Sequence, residues 1–186
     1  MQEIILASAS ERRHRLLENM GVPFKIEEAH VEEVKLTSPE DTVMQNAWIK
    51  AKAVHDKSPN RIILSADTVV AIDGQILGKP KDAEDAKSML SRLSGRWHAV
   101  YTGVCLISQT GEKDIKLCTT RVHMAEISQE EIEAYVLTGE PMDKAGSYAM
   151  QGIAGAFVTE IQGNYANVIG LPTSMVRDML KDINYY

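Results

Sequence analysis

The sequence predicts a mixed α/β fold in which strands and helices alternate along the chain. Short apolar runs typical of buried strands alternate with segments whose apolar residues recur at helical spacing. Capping residues and glycines separate these segments, and we find no internal repeat and no low-complexity linker. A chain of 186 residues lies within the size that one hydrophobic core can organise. We therefore expect a single domain over residues 1–186.

The first half of the chain carries signals for four strands and three helices. A buried strand at 4–7 leads into a helix whose apolar positions share one face before Gly21 ends it. Ser38 is a good cap for the second helix, and Pro39 suits its first turn. The remaining expected elements are strand 24–28, the second helix to about residue 54, strand 62–72, strand 75–77 after a tight turn at 73–74, and a third helix that begins at Asp82 and ends at Gly95.

The second half predicts two paired strands, a helix, a late strand and a closing helix. Ser128 and Glu131 have the spacing of a capping box, in which each side chain bonds the other residue's backbone amide. The expected elements are antiparallel strands 99–108 and 116–124 around a turn at 110–111, a helix from Ser128 to Gly139, strand 157–161, and a last helix opened by Pro172.

Composition narrows the classes of partner and compartment. The net charge of −6 argues against a nucleic-acid surface, because such surfaces neutralise phosphates with clustered cations. Cys105 and Cys118 are too few for a disulfide framework and lack metal-ligand spacing. We recognise no signal peptide and no apolar run of membrane-spanning length. We expect a cytoplasmic protein with no nucleic-acid or membrane partner.

Asp67 is the residue that most strongly suggests chemistry. It interrupts an apolar strand, where an unpaired carboxylate would be costly. The strand continues through residues 69–72, which argues against a turn former at a strand end. We interpret Asp67 as a functional carboxylate, which could hold a divalent cation or accept a proton from water attacking phosphorus.

The segment from Ser8 to Arg13 is a candidate anion site. It joins the first strand to the first helix, where free backbone amides and the helix dipole favour a negative ligand. Arg12 and Arg13 add forked donors. Taken alone, the segment is better explained as an ordinary serine cap followed by solvated arginines.

Three further charged residues are weaker candidates. Lys52 lies late in the second helix and Lys79 follows a hairpin beside Pro80, and both could contact phosphate. Glu33 could provide a second oxygen ligand for a metal. The alternative for Lys52 and Glu33 is a solvated surface charge, and for Lys52 the sequence alone favours it.

Residues 140–152 form a long irregular stretch, which in a compact domain is often functional. Gln151 carries donors and an acceptor suited to reading the edge of a base, although a plain surface loop remains an alternative. The five histidines are scattered and form no metal-binding pattern or catalytic triad with Ser or Cys.

Together these segments resemble one family, the Maf proteins, along nearly the whole chain. The resemblance is carried by a series of short motifs in a fixed order: Ser8-Ala9-Ser10 with Arg12-Arg13 and Leu16-Leu17, Lys52-Ala53, Ala66-Asp67-Thr68-Val69, Gly78-Lys79-Pro80, Leu93-Ser94-Gly95 with His98 and Thr102, Gly139-Glu140-Pro141, Asp143-Lys144-Ala145-Gly146, Gln151-Gly152, and Asn167 to Pro172.

The resemblance implies a fold shared with inosine-triphosphate pyrophosphatases: an elongated, bent mixed sheet flanked by helices, with two lobes and a cleft. It implies a homodimer and a divalent metal cation, Mg²⁺ or Mn²⁺. It also implies a nucleoside-triphosphate pyrophosphatase, which cuts a triphosphate into a monophosphate and pyrophosphate.

Residue by residue, the resemblance makes Asp67 the expected proton acceptor and metal ligand, with Glu33 assisting. It places Arg12, Arg13, Lys52 and Lys79 at the triphosphate or the base. Arg12, Thr68 and Gln151 match the positions that distinguish substrate subgroups, and Gln151 is similar to the subgroup acting on dTTP and UTP, with modified pyrimidine triphosphates as further candidates.

Another class of function stays open at this stage. The family is linked to division arrest and septum formation, so the chain could be a nucleotide-binding regulator that acts through a partner. The combination of Asp67 with Lys52 and Lys79 favours catalysis, because a sensor needs a phosphate clamp but no general base.

Overall fold

The computed structural model describes residues 2–186; Met1, the first residue of the predicted domain, lies outside that range. The described chain contains strands and α-helices in alternation, which confirms the predicted mixed α/β class. The elements are β1 (Ile4–Leu6), α1 (Glu11–Asn19), β2 (Phe24–Ile26), α2 (Pro39–His55), β3 (Ile63–Ile72), β4 (Gln75–Leu77), α3 (Ala83–Leu93), β5 (Trp97–Ile107), β6 (Lys113–Met124), α4 (Gln129–Leu137), β7 (Val158–Gln162), α5 (Tyr165–Ile169) and α6 (Thr173–Asp182).

Within residues 2–186 the strands form one open mixed sheet of seven strands. Its order is β2-β1-β3-β5-β6-β7, with β4 paired to β3. β1 pairs in parallel with both β2 and β3, whereas β4 and β7 pair antiparallel with β3 and β6. The parallel part is apolar on both sides, as a sheet covered by helices on both faces must be.

Two compact units divide the chain, and each is discontinuous in sequence. The first comprises Met1–Asp67, Thr102–Cys118 and Gly170–Tyr186, and the second comprises Thr68–Tyr101 and Thr119–Ile169. β3, β5 and β6 contribute residues to both units.

The first unit has a hydrophobic cluster on each side of its strands. Alternate residues of β1 separate them: Ile4 and Leu6 belong to the cluster that includes α6, whereas Ile5 belongs to the cluster beneath α2. This alternation is the two-residue period of a strand. Both clusters contain side chains with no exposed surface, so the sheet of this unit is buried on both faces.

The second unit has one larger core. α3 and α4 bury Leu90, Leu93 and Ile132 against residues of β3 to β6. Tyr148 and Phe157, from the irregular segment that follows α4, complete this core. The chain between α4 and β7 includes short 3₁₀ helices at Glu140–Asp143, Ala145–Ser147 and Ile153–Phe157, so the stretch predicted to be irregular is ordered by single turns.

Helix starts follow the sequence signals closely. The Ser38 hydroxyl accepts from the Asp41 amide at 3.0 Å, and the Asp82 carboxylate accepts from the Asp85 amide at 2.8 Å. Ser128 and Glu131 form the reciprocal capping box. Among residues 2–186, no helix has the length and apolar character needed to cross a bilayer.

α2 lies unusually close to the sheet of the first unit, and Gly103 on β5 explains why. A Cβ atom at this position would stand 2.4 Å from the Val43 carbonyl oxygen, so only glycine permits the contact. One turn further along α2, the buried Ser65 hydroxyl donates to the Ala47 carbonyl at 2.5 Å. These contacts fix the height of α2 above β3, where Asp67 lies.

Candidate active site

Asp67 is a buried carboxylate near the middle of β3. Only 6% of the residue is exposed, and side chains from α2 satisfy both of its oxygens. Oδ1 accepts from Lys50 Nζ at 2.7 Å, and Oδ2 accepts from Asn46 Nδ2 at 3.1 Å. Burying a carboxylate is costly unless it is paired and hydrogen-bonded, and this one is both.

Lys50 joins Asp67 to Glu33. Its Nζ lies 2.7 Å from Asp67 Oδ1 and 2.6 Å from Glu33 Oε1. The Lys50 side chain is only 13% exposed, whereas that of Glu33 is 57% exposed. One ammonium group therefore bridges a buried carboxylate and a carboxylate open to water, and the predicted metal ligands Asp67 and Glu33 converge on one cationic centre.

The predicted anion site also lies in the first unit. The Ser8 hydroxyl is buried and accepts from the Ser10 amide at 3.3 Å and from Arg13 Nη1 at 3.2 Å. Arg13 Nε donates to the Gly170 carbonyl at 2.8 Å, and His14 Nε2 lies 2.8 Å from the Ser8 carbonyl oxygen. The segment from Ser8 to α1 is thus fixed from several directions.

Charge couples this segment to the carboxylates. Burial lowers the pKa of the Arg13 guanidinium, Arg12 acts in the same direction, and Asp67 and Glu33 act in the opposite direction. The structure therefore brings Ser8, Arg12, Arg13, Glu33 and Asp67 into one electrostatic neighbourhood.

Lys52 does not join this group. It is exposed and pairs with Asp56, one turn further along α2, at 2.5 Å. Two residues along a helix correspond to a rotation of about 200°, so Lys52 faces away from the side that carries Lys50. A role for Lys52 at phosphate stays a prediction from family resemblance.

Thr68, Lys79 and Gln151 belong to the second unit. Thr68 is partly buried on β3, and Lys79 is exposed after β4. The backbone beside Lys79 is held by a bond from the Gly146 amide to the Gly78 carbonyl at 3.1 Å. Gln151 is exposed, so its side chain is open to a ligand.

Glu140 holds the loop that carries Gln151. Its carboxylate accepts from the Ile153 amide at 3.0 Å and from the Ala154 amide at 3.4 Å. Burial acts to raise the pKa of Glu140, but these donors and the neighbouring Tyr135 and Lys144 outweigh it and lower the pKa. A Cβ atom at Gly152 would stand 2.1 Å from Glu140 Oε1, so this carboxylate occupies the space beside the glycine.

Lys50 and Asn46 are the functional candidates that sequence reasoning missed. Thr42, Asn46 and Lys50 recur every four residues on the inward side of α2, among the buried Val43, Ala47 and Ala51. A polar row at the spacing of a buried helix face was the available signal, because such residues need partners inside the fold.

The donor set suits a divalent cation held jointly with a substrate. Asp67 and Glu33 offer hard carboxylate oxygens, and both already share the Lys50 cation. Across residues 2–186, no group of three or more His, Cys, Asp or Glu side chains is arranged to hold a metal. One or two carboxylates completed by water and phosphate oxygens are typical of Mg²⁺ sites.

Two bacterial proteins of known structure show the likeness in fold. The Ham1 protein of Staphylococcus aureus matches 97% of this chain and 99% of its own with a TM-score of 0.56 at 14% identity. A HAM1 protein from Coxiella burnetii matches 98% of this chain and 100% of its own with a TM-score of 0.54 at 17% identity. At this identity the likeness concerns the fold alone.

Sequence relatives are much nearer. A dTTP/UTP pyrophosphatase of Symbiobacterium thermophilum is 46% identical over 187 residues, which cover 100% of this chain and 96% of the relative. Proteins with the same description from Dictyoglomus thermophilum and Bacillus cereus are 44% and 48% identical, and each alignment covers 99% of this chain and 97% of the relative. The family model described as Maf-like protein matches residues 3–183. The chain therefore belongs to the Maf-like protein family.

Proposed function

We propose that this protein is a nucleoside-triphosphate pyrophosphatase that hydrolyses dTTP and UTP to the monophosphate and pyrophosphate. The observation that carries the proposal is the buried Asp67 carboxylate, paired with Lys50 and placed in the electrostatic neighbourhood of Arg13. The relatives described as dTTP/UTP pyrophosphatases support the same reaction and substrate class.

The reaction consumes one water molecule. Its oxygen attacks the α-phosphorus, the bond from that phosphorus to the bridging oxygen breaks, and pyrophosphate leaves with the electron pair. Asp67 is the proposed acceptor of the proton that the attacking water loses. A carboxylate with fixed partners suits this task, because Lys50 and Asn46 hold its plane before substrate arrives.

Cationic groups of the first unit would offset the charge that builds on the phosphate oxygens. Arg13 and Arg12 lie at the start of α1, where unpaired backbone amides add further donors. Preorganised donors of this kind stabilise a transition state without the cost of reorganising solvent. The segment from Ser8 to Arg13 is therefore the proposed contact for the triphosphate.

A divalent cation, Mg²⁺ or Mn²⁺, is part of the proposal. Asp67 and Glu33 would hold it, and when bound it would polarise phosphate oxygens and neutralise their charge. Their joint contact with Lys50 supports this assignment, since it places both carboxylates around one positive centre.

A nucleotide-binding regulator without hydrolysis is less well supported. Regulation needs a phosphate clamp alone, whereas this chain also buries a carboxylate with orienting partners. The descriptions of its relatives name an enzyme.

Asp67→Asn tests the function directly. The substitution keeps the shape of the side chain and removes the proton acceptor, so turnover of dTTP should fall by at least roughly 100-fold. Pyrophosphate release with Mg²⁺ or Mn²⁺ is the measurement. Asp56→Asn, on an exposed carboxylate of the same unit, is the matched control and should keep its turnover. Near-normal turnover of the Asp67 variant would reject the assignment.

The finer specificity depends on Gln151. We carry over its role in base selection from the resemblance to the dTTP/UTP subgroup. Gln151→Glu should lower kcat/KM for dTTP and UTP relative to other triphosphates while leaving thermal unfolding unchanged. An unchanged ranking of substrates would remove Gln151 from the mechanism. Modified pyrimidine triphosphates belong in the same comparison.

Assembly and compartment complete the proposal. The family resemblance implies a homodimer. Light scattering of the purified protein measures its mass in solution and tests this expectation. A cytoplasmic location is consistent with Cys105 and Cys118, neither of which forms a disulfide.

A further inference from the structure

We propose that Asn46 is a positioning residue of the active site, which holds the Glu33 loop and the Asp67 carboxylate in one fixed arrangement. The inference rests on the function proposed above and adds to it a residue outside the set expected to touch substrate. It derives from three hydrogen bonds made by one buried amide.

Asn46 first pairs with the backbone of Val34. Its Oδ1 accepts from the Val34 amide at 2.8 Å, and its Nδ2 donates to the Val34 carbonyl at 2.9 Å. Residues 27–37 contain no helix or strand, so their backbone groups need other partners. The side-chain amide supplies them, much as a neighbouring strand would.

The second proton of the same amide reaches Asp67. Nδ2 donates to Asp67 Oδ2 at 3.1 Å, so both protons of Asn46 point at oxygen atoms. Reversing the amide would place its oxygen against a carbonyl and a carboxylate and its NH₂ against an N–H, so one orientation is allowed. Only 3% of Asn46 is exposed, and water cannot readily replace these bonds.

Lys50 closes the arrangement into a ring. From Asp67 the contacts run through Asn46 to Val34, along the chain to Glu33, and back through Lys50 to Asp67. Asn46 and Lys50 are one helical turn apart on α2, so one rigid element sets both sides of the ring. The ring's ion pair from Lys50 to Glu33 involves a carboxylate 57% exposed to water, whereas the bonds of Asn46 are buried.

Thr42, one turn before Asn46, provides a natural comparison. It is also buried, and its hydroxyl accepts from the Leu36 amide at 3.0 Å and donates to the Ser38 carbonyl at 2.8 Å. Thr42 therefore fixes the same loop, and its hydroxyl bonds neither Asp67 nor Glu33. Comparing the two positions separates general ordering of the loop from positioning of the carboxylates.

The experiment compares Asn46→Leu with Thr42→Val, two substitutions that keep the branching of the side chain and remove hydrogen bonds. Turnover and KM for dTTP, the Mn²⁺ concentration giving half-maximal rate, and amide hydrogen exchange at residues 33–36 are measured for each. Asn46→Leu should lower kcat by about 10- to 100-fold and raise the Mn²⁺ requirement by a similar factor, the usual effect of losing a residue that orients a ligand. KM for dTTP should change less, because Asn46 contacts neither arginine.

Hydrogen exchange supplies a readout independent of activity. The Val34 amide loses its acceptor in Asn46→Leu and should exchange faster than in the native protein. Thr42→Val should accelerate exchange at Leu36 and lower the free energy of unfolding, yet keep kcat within about twofold. Should Asn46→Leu fail to fold, Asn46→Ala, which removes the same three hydrogen bonds without added bulk or charge, takes its place.

The outcomes are distinguishable. A native protein that releases no pyrophosphate from dTTP would refute the proposed function, and this inference with it. An active native protein with unchanged kcat and Mn²⁺ requirement in Asn46→Leu would refute the inference alone. An equal loss of kcat in Thr42→Val would refute the inference as well, because it would show that general ordering of the loop, not Asn46 in particular, positions the carboxylates.

Discussion

Replacing Gly103 with alanine should separate α2 from the sheet and disable the site from a distance. The added Cβ would lie 2.4 Å from the Val43 carbonyl oxygen and 2.5 Å from its carbon, whereas ordinary contact begins at 3.4 Å. The obstacle is backbone, which cannot rotate aside, so the helix and strand must part by about 1 Å. Asn46 and Lys50 lie on the next turns of the same helix and would move with it.

The magnitudes follow from that displacement. Overpacking of this kind costs about 1–3 kcal/mol, which corresponds to a fall in melting temperature of roughly 2–12 °C for a chain of this length. A misplacement near 1 Å can reduce turnover by about 100-fold, so we expect dTTP hydrolysis to suffer more than folding does. Urea denaturation and pyrophosphate release are the two assays.

Gly78→Ala is the matched control for stability. A Cβ at Gly78 meets nothing within 4 Å, so its free energy of unfolding should stay within about 0.5 kcal/mol of the native value. If Gly103→Ala unfolded at the same urea concentration as the native protein and kept full turnover, the close approach of α2 to β5 would not be what positions Asn46 and Lys50.

Two further predictions concern buried titratable side chains, one in each unit. Lys50→Met should lower the free energy of unfolding by up to about 3–5 kcal/mol, because it leaves a buried carboxylate without its cation. Lys52→Met, which removes an exposed ion pair, should change the free energy of unfolding by less than about 1 kcal/mol. Urea denaturation measures both, and equal effects would contradict the difference in burial. Burial lowers the pKa of His98 to about 4 from 6.5, so the fold favours its neutral form. The stability that this preference contributes is fully present above pH 6.5. Up to about 3 kcal/mol of the free energy of unfolding is lost as the pH falls from 6.5 towards 4. His98→Phe should flatten that part of the stability curve, and a curve parallel to that of the native protein would show that His98 does not cause it.

The elements could be predicted from the sequence because their signals are local. Caps at Ser38, Asp82 and Ser128 form the bonds that their sequences indicate. Element ends without a capping signal were predicted less accurately. The second strand was predicted to reach residue 28 but ends at Ile26, and β6 was predicted to begin at residue 116 but begins at Lys113. Pairing partners outside the local sequence decide where a strand ends.

The site was only partly predictable. Asp67 stood out because a charge within an apolar strand needs an explanation on its own. Lys50 did not stand out, since its role in the site depends on which face of α2 turns inward. That orientation depends on how the helix packs on the sheet. Asn46 was missed for a further reason: its principal partner is the backbone of Val34, and a backbone partner cannot be identified from side-chain types.

The row of Thr42, Asn46 and Lys50 makes the length of α2 as important as its composition. One residue inserted between Asn46 and Lys50 would turn everything beyond it by about 100°, which would direct the ammonium group away from β3. Related proteins should therefore accept exchanges along the outer side of this helix far more readily than insertions or deletions within it. Helical phase, and not only chemistry, decides whether this segment can hold Asp67.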